Sequence, residues 1–509
     1  MKITFMPMNQ TIRIENFQTI LNAAREAGIY IESSCGLNGS CGKCKVYIMK
    51  GRMTSLTAEE EKHLTKEEIK RGIRLACQVR ASEDAVVMVK QTKERKVRNV
   101  VRQTEKVESI GIGIDIGTTT IQIRLIDLIS KGKLMEQIIY NPQRMFGADV
   151  ISRITYCYGN KERLVQLQRC LIDSCNEEIH SMLSALGQTS DCIKQYVVAG
   201  NTTMGHLFLG CCIDSLGRSP IAPVYKDYPV QAAEQIGLIG NQDTKCYLLP
   251  NIGGHVGGDL LACLMTAKLD QKKGNYLLID VGTNGEIAVS KQGKIMACST
   301  AAGPAFEGAS LQYGMCAKAG AITHVAYYQK KPVIEVLGNV KPIGISGSGI
   351  IDGIAEFLRN DIIDRTGLLK EEYQSSGVAL YEGTTKEERI SISQEDIRQI
   401  QLAKGAIAAG MALILEKAEL NVEEIDEFYL AGTFGSHLNV RNAMAIGLLP
   451  KMAFNKVKLI GNASCEGTNL VLNGKWNYDE IKEFAKQISH IDLAKDARFE
   501  EVFLEKMNF

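Results

Sequence analysis

The sequence lacks the features that mark membrane proteins and nucleic-acid-binding proteins. Its 59 Lys and Arg nearly balance its 58 Asp and Glu, so no excess charge favours nucleic acid or an anionic membrane. The longest apolar stretch, residues 405–415, is about half as long as a bilayer span requires. The first residues contain no apolar signal core. We therefore expect a cytoplasmic protein with no nucleic-acid or membrane partner.

Two common nucleotide-binding motifs are also missing. The chain has neither the G-x4-G-K-[ST] pattern of a P-loop nor the G-x-G-x-x-G pattern of a dinucleotide-binding fold. Its 509 residues are too many for one ordinary core and suggest about three domains. With 45% hydrophobic and 23% charged residues, the composition is typical of a soluble globular protein.

Cysteine is scarce in the first third of the chain and clustered where it occurs. Of the 15 cysteines, only four fall within the first 156 residues. The other eleven are scattered, several of them in apolar runs, and most are expected to be buried, reduced thiols. The adjacent Cys211-Cys212 pair has no evident role. The four early cysteines are Cys35, Cys41, Cys44 and Cys77.

These four cysteines have the arrangement of an iron-sulfur site. Three of them lie on one glycine-rich loop with the spacing C-x5-C-x2-C, and Cys77 stands apart. Four thiolates of this kind can surround a two-iron, two-sulfur (2Fe-2S) cluster. The loop glycines allow a tight backbone whose amides point at the sulfurs. Zinc is the alternative, but zinc sites usually present two short cysteine pairs. The glycines are Gly36, Gly39 and Gly42.

The pattern around the cysteine loop predicts a small domain of mixed strands over residues 1–90. A basic, weakly periodic segment follows at residues 91–109, which indicates a solvated linker or, alternatively, a docking patch for an acidic partner. Within the domain we predict strands over residues 2–14, a helix over 17–27, a helical acidic stretch over 58–71, and strands over 73–79 and 85–89.

From residue 110 onward the sequence pattern predicts the same α/β unit twice. The segment 114–120 (IDIGTTT) matches 279–285 (IDVGTNG), and each precedes strand-like runs separated by a Gly-Lys turn. The segment 198–202 (VAGNT) likewise resembles 430–434 (LAGTF). Two elements that recur in the same order predict a duplicated unit, with halves at residues 110–275 and 276–509.

The repeated segments are suited to hold a nucleotide. A glycine hairpin with small hydroxyl residues brings backbone N–H and O–H donors onto phosphate oxygens, and an Asp at the strand end can hold Mg²⁺ through water. Asp115 and Asp280 are the candidate catalytic residues, one for the metal and the other for the attacking water. The candidate ATP contacts are Gly117, Thr118, Thr119, Gly282, Thr283, Asn284, Gly432, Thr433, Phe434 and Gly435.

Three further segments carry weaker signals. Residues 345–349 (ISGSG) are expected to form a helix-packing turn. Residues 251–259 are too rich in glycine for a plain strand and either line the cleft or simply turn. Glu307 lies in a similar glycine-containing segment and is a candidate carboxylate of the cleft.

The motifs resemble two known families in tandem. Residues 1–90 are similar to plant/adrenodoxin-type ferredoxin domains, and residues 110 to about 470 resemble the acetate and sugar kinase/Hsp70/actin superfamily of ATPases. Together with residues 141–144 (NPQR) and 147–150 (GADV), the whole chain resembles the reductive activators of corrinoid proteins. The fold class implied is α/β plus α+β: a β-grasp ferredoxin-like domain and a duplicated ribonuclease H-like domain.

The resemblance also implies a function. It points to a homodimer that uses a 2Fe-2S cluster, ATP and Mg²⁺ to reduce a Co(II) corrinoid to Co(I) for a methyltransferase system, with an upstream low-potential electron donor. No D-x-H-x-x-G corrinoid signature occurs, so the corrinoid is expected on a separate protein. Three alternatives remain: a redox-sensing small-molecule kinase, an Hsp70-like binding protein, and an ATP-driven electron donor to another low-potential enzyme.

Overall fold

The structure is a computed structural model. It describes residues 1–14, 18–31, 33, 39, 41–89, 99–100, 107–218, 220–308, 311–385, 388–432 and 438–509. Most of the predicted basic linker therefore lies outside the described residues.

The first domain is a five-stranded mixed sheet that packs against one helix. Its strand order is β2-β1-β5-β3-β4, with β1 parallel to β5 and the other pairs antiparallel, as in a β-grasp fold. The predicted helical acidic stretch consists of two short helices, and Thr57 and Thr65 each cap one of them with a capping box. The elements are β1 (Lys2–Met6), β2 (Gln10–Arg13), β3 (Lys45–Lys50), β4 (Ile73–Leu75), β5 (Ala85–Met88), α1 (Ile20–Glu26), α2 (Ala58–His63) and α3 (Lys66–Lys70).

The second region is built on a seven-stranded sheet of order β11-β12-β10-β7-β8-β9-β6. Strands β7, β8 and β9 form an antiparallel meander, and β10 and β12 add in parallel on the other side of β7. Its elements are β6 (Asn99–Val100), β7 (Ile110–Ile116), β8 (Thr120–Asp127), β9 (Lys133–Tyr140), β10 (Ile193–Gly200), β11 (Gln231–Ala232), β12 (Lys245–Leu248), α4 (Val150–Cys157), α5 (Lys161–Ala185), α6 (Thr202–Phe208), α7 (Ala233–Ile236) and α8 (Gly258–Thr266).

The third region repeats this topology. Strands β13, β14 and β15 form the meander, and β21 and β22 add in parallel beside β13, which confirms the predicted duplication. The first strands and helices are β13 (Asn275–Val281), β14 (Gly285–Lys291), β15 (Lys294–Thr300), β16 (Ala321–Tyr328), β17 (Lys331–Val336), β18 (Gly344–Ile345), α9 (Gly347–Arg359), α10 (Glu371–Gln374), β19 (Val378–Tyr381) and β20 (Ile390–Ile392). The remaining elements are α11 (Gln394–Lys417), β21 (Glu427–Ala431), α12 (Val440–Ala445), β22 (Val457–Gly461), α13 (Ala463–Leu472), α14 (Tyr478–Gln487), β23 (Ser489–His490) and α15 (Phe499–Met507).

Helices α8 and α13 pack together between the two repeated units. A Cβ atom built on Gly467 would lie 2.5 Å from the Cβ of Ala262, so the helices approach as closely as glycine permits. Apolar residues from both sheets, such as Val197 and Leu278, join this buried cluster. The packing holds the two units against each other and places the ends of β7 and β13 at one cleft.

Two smaller findings concern the predictions from sequence. Ser346 caps the first turn of α9 by accepting a hydrogen bond from the Gly349 amide, so residues 345–349 form the expected turn at a helix start. Among the described helices, none combines the length and apolar character that a membrane span requires.

Candidate functional site

The first phosphate hairpin joins β7 to β8 and is supported from behind. A Cβ on Gly117 would lie 2.7 Å from the Thr120 carbonyl, so the turn closes only with glycine. The Asn141 side-chain amide donates to the Gly117 carbonyl at 2.9 Å, and the buried Arg153 guanidinium donates to the Thr118 carbonyl. Because these carbonyls are bound in this way, the amides are the backbone groups that the hairpin can offer to a phosphate.

The second phosphate hairpin joins β13 to β14 and meets Gly432 at the end of β21. Gly432 has a φ of +95°, and a Cβ there would lie 2.8 Å from Oδ1 of Asp280. Its amide donates to the Gly461 carbonyl at 2.9 Å. The strand end that carries Gly432 therefore fits closely against the catalytic candidate.

Both hairpins open onto one cavity of about 100 Å³. Five acidic side chains line it, and among the other described lining residues there is no lysine or arginine. Burial and the charge of Asp115 raise the pKa of Asp280 to about 7. Burial and the charge of Asp280 raise the pKa of Asp259 to about 8. The acidic residues are Asp115, Asp259, Asp280, Glu286 and Glu307; the other lining residues include Gly117, Thr118, Thr119, Asn201, Gly282, Thr283, Asn284, Gly432 and Asn462.

Asp115 is fixed by residues from the far end of the chain. Asn462 and Ser464, at the start of α13, donate hydrogen bonds of 2.8 Å to its two carboxylate oxygens. The Asn462 amide also donates to Gln122 at 2.6 Å. These donors stabilise the carboxylate form, although burial raises the Asp115 pKa overall.

Three acidic residues of this site were missed or only weakly indicated by the sequence. Asp259 begins α8 and ends the glycine-rich segment 251–259, which therefore reaches the cleft. Glu286 follows the second hairpin directly along β14 and pairs with Asp280 in the sheet; its counterpart in the first repeat is Ile121, so the repeat carried no signal for it. Glu307 accepts hydrogen bonds from Thr283 at 3.0 and 3.1 Å and from Thr119.

The acidic cavity has the chemistry of a magnesium site. Several buried carboxylates in a described lining that has no lysine or arginine repel one another, and a divalent ion removes that cost. Across the described ranges no three acidic, histidine or cysteine groups converge closely enough to ligate one ion directly. In proteins, Mg²⁺ commonly binds through one or two carboxylates and keeps most of its water.

The described cysteines of the first domain lie together. Cys44 precedes β3 and Cys77 follows β4, and both are buried. The Cys77 amide lies 3.5 Å from the Cys44 sulfur, and the Gln78 side-chain amide lies 3.5 Å from the Cys77 sulfur. Such N–H donors are the expected partners of cluster-bound thiolates.

The rest of the cysteine loop is described only in part. Gly39 and Gly42 have φ values of +74° and +63°, the left-handed conformation that favours glycine. Cys41 is partly buried. Cys35 and Gly36 lie outside the described residues, as do Thr433, Phe434 and Gly435 of the predicted adenosine motif.

Three family models match consecutive parts of the chain. Residues 3–82 match the 2Fe-2S iron-sulfur cluster binding domain. Residues 110–272 match the RACo middle region, and residues 274–509 match the C-terminal domain of RACo, the ASKHA domain. The first domain is therefore a ferredoxin-like 2Fe-2S domain, and the remainder is an ATPase domain of the actin, Hsp70 and sugar-kinase class.

Individual proteins give the same assignment over the whole length. The corrinoid activation enzyme RamQ of Eubacterium limosum is 34% identical over 433 residues, which cover 81% of this chain and 73% of RamQ. The [Co(II) methylated amine-specific corrinoid protein] reductase of Methanosarcina barkeri is 25% identical, over 78% of this chain and 77% of that protein. The solved structure of a reductive activator for a corrinoid, iron-sulfur protein aligns with a TM-score of 0.73 and 28% identity, over 100% of this chain and 98% of that one. The chain therefore belongs to the family of reductive activators of corrinoid proteins.

Proposed function

We propose that this protein reduces the Co(II) corrinoid of a separate methyltransferase-system protein to Co(I), in the cytoplasm, with energy from ATP. The observation that carries the proposal is the joining of a thiol site and a carboxylate-lined phosphate cleft in one chain. The match to RamQ over 81% of the chain supports it. An upstream low-potential donor to the cluster and a homodimeric assembly belong to the same proposal.

The thiol site provides the electron. When bound by Cys35, Cys41, Cys44 and Cys77, a 2Fe-2S cluster supplies one electron at roughly −400 mV. We expect the Co(II)/Co(I) couple to lie lower still, and a gap of about 100–200 mV for one electron costs roughly 2–5 kcal/mol. The electron that leaves the cysteine site would be gained by cobalt. Because this transfer is uphill in free energy, it needs a second source of energy.

The cleft provides that source. Thr118 and Thr119 on one hairpin and Thr283 on the other would donate hydrogen bonds to ATP phosphate oxygens. Asp115, fixed by Asn462 and Ser464, would hold hydrated Mg²⁺, which neutralises the charge that develops on the phosphates. Asp280, with its pKa near neutrality, can accept a proton from the attacking water.

The decisive experiment is anaerobic. Reduced protein is mixed with a Co(II) corrinoid protein, and the visible spectrum is followed for Co(I) with and without Mg-ATP. We expect Co(I) only with ATP. A Cys77→Ser variant that still turns over ATP should form none, which ties the electron to the thiol site.

Two other results would reject the proposal. Turnover of ATP and an intact cluster without Co(I) would point to another low-potential acceptor. Phosphate transfer from ATP to a small metabolite, instead of to water, would identify a redox-sensing kinase.

A further inference from the structure

Glu307 lies where the two phosphate hairpins meet. Both of its carboxylate oxygens accept from the Thr283 hydroxyl, at 3.1 and 3.0 Å, and the Thr119 hydroxyl donates to the same group. The two hydroxyls are themselves 3.1 Å apart. The carboxylate thus binds the hydroxyls that the hairpins would otherwise present to a phosphate.

The same side chain also faces the ferredoxin domain. Glu307 and Thr119 line a second cavity, of about 130 Å³, together with Tyr30 and Ser33 of the first domain. Arg144 also lines this cavity, and its guanidinium lies 4.4 Å from the Tyr30 ring centre and 4.0 Å from that of Tyr140. Glu307 therefore stands between the nucleotide cavity and a contact between domains, and the positive charge of Arg144 acts on it.

A second contact between the domains is made by Arg25 and contains few hydrogen bonds. Arg25 on α1 is buried, with its guanidinium 5.4 Å from the Phe146 ring centre and 5.9 Å from that of Tyr156. Its Nε and Nη2 atoms have no hydrogen-bond partner among the described residues. Donors left unsatisfied in a buried contact regain hydrogen bonds to water when the contact opens, so this interface can separate readily.

We propose that Glu307 senses the γ-phosphate of ATP and couples its binding to release of the ferredoxin domain. This rests on the proposed use of ATP in the cleft. A γ-phosphate and the Glu307 carboxylate carry like charge and compete for the hydroxyls of Thr119 and Thr283. The displaced carboxylate turns to Arg144, whose charge already acts on it, and withdraws that guanidinium from the ring of Tyr30.

The release has a purpose in the proposed reaction. The domain that would carry the cluster must come close to the cobalt of a separate protein, and its docked face is covered by the ATPase domain. ADP lacks the γ-phosphate, so Glu307 can return to the two threonines after hydrolysis. One cycle of ATP thus opens and closes the domain contact.

Hydrogen exchange followed by mass spectrometry tests the coupling without a corrinoid partner. The full chain with its oxidised cluster is measured alone, with Mg-ADP and with a non-hydrolysable ATP analogue. We expect exchange over residues 20–31 to be about fivefold or more faster with the analogue than with Mg-ADP. Helix α15, whose residues line neither cavity, serves as the internal reference and should not change.

Two variants test the role of Glu307 and the role of the contact at Tyr30 separately. Glu307→Gln keeps the size of the side chain but removes its charge, so the analogue should still protect the two hairpins without accelerating exchange over residues 20–31. Tyr30→Leu removes the ring that Arg144 stacks on, so residues 20–31 should exchange rapidly with or without nucleotide.

Clear outcomes would overturn the proposal. If the analogue does not change the exchange rate of residues 20–31 in the unaltered protein, the proposed release of the ferredoxin domain is wrong. If the analogue accelerates that exchange equally in Glu307→Gln, the proposed role of Glu307 is wrong. The assay for Co(I) is independent: ATP-dependent Co(I) with no change in exchange leaves the proposed function intact and discards only this coupling.

Discussion

The Ser464 hydroxyl donates a 2.8 Å hydrogen bond to the Asp115 carboxylate across 349 residues of sequence. The contact joins the first strand of one repeated unit to a helix of the other. Because a hydrogen bond to a charged group stabilises it by roughly 1.5–3 kcal/mol, the position and ionisation of Asp115 depend on how the two units pack.

Removal of this hydroxyl should impair the cleft. We expect Ser464→Ala to lower Mg-ATP turnover about tenfold, since roughly 1.4 kcal/mol corresponds to a factor of ten. Ser290→Ala is the matched control, because the buried Ser290 hydroxyl has no hydrogen-bond partner among the described residues. Equal losses in the two variants would show that the effect is not specific to Asp115.

The negative charge of Asp280 should destabilise the folded protein when no metal is bound. Its pKa is about 7 in the folded chain, above its ordinary value, so the folded state loses stability as the pH rises toward 7. We expect Asp280→Asn to raise the unfolding free energy of the metal-free protein at pH 8 by on the order of 2 kcal/mol. The same variant should abolish ATP turnover.

The pH provides the control for that experiment. Near pH 4 the Asp280 carboxyl of the folded protein is already neutral, so the gain in denaturant melts should shrink there. A gain that is equal at pH 4 and pH 8 would assign it to packing and not to charge.

Replacement of one cysteine ligand should remove the cluster without affecting the nucleotide site. We expect Cys77→Ser to lose the visible absorbance of the cluster while the ATP affinity stays within about twofold, because distant sites are usually independent. Cys246→Ser, at a buried thiol of β12, should keep the absorbance. Zinc in the purified protein and no visible absorbance in the unaltered chain would favour the zinc alternative.

The close approach of α8 and α13 should tolerate no added atom. A Cβ on Gly467 meets Ala262 at 2.5 Å, so Gly467→Ala should lower the unfolding free energy by about 1–3 kcal/mol in denaturant melts. Gly405→Ala in α11 meets its nearest side-chain atom, on Met507, at 3.2 Å and should be neutral or stabilising. The prediction is contradicted if both variants melt alike.

The features that could be read from sequence are local ones. The spacing of Cys41 and Cys44 and the two Asp-x-Gly-Thr hairpins are short patterns whose chemistry needs only a few neighbouring residues. The duplication could also be predicted, because both halves repeat the same order of strand, turn and strand. The helical character of the acidic stretch was also predicted, and its division into two helices follows from its two capping threonines.

By itself, the sequence determined which groups this protein carries: a cysteine loop, two phosphate hairpins, and the family to which both belong. Only the tertiary structure decided which groups meet. It brings Ser464 to Asp115, sets Glu307 between Thr119 and Thr283, and places Arg144 on Tyr30. These partners lie far apart along the chain, so their contacts depend on how two sheets, the helices between them and the first domain pack, which no short pattern of residues specifies.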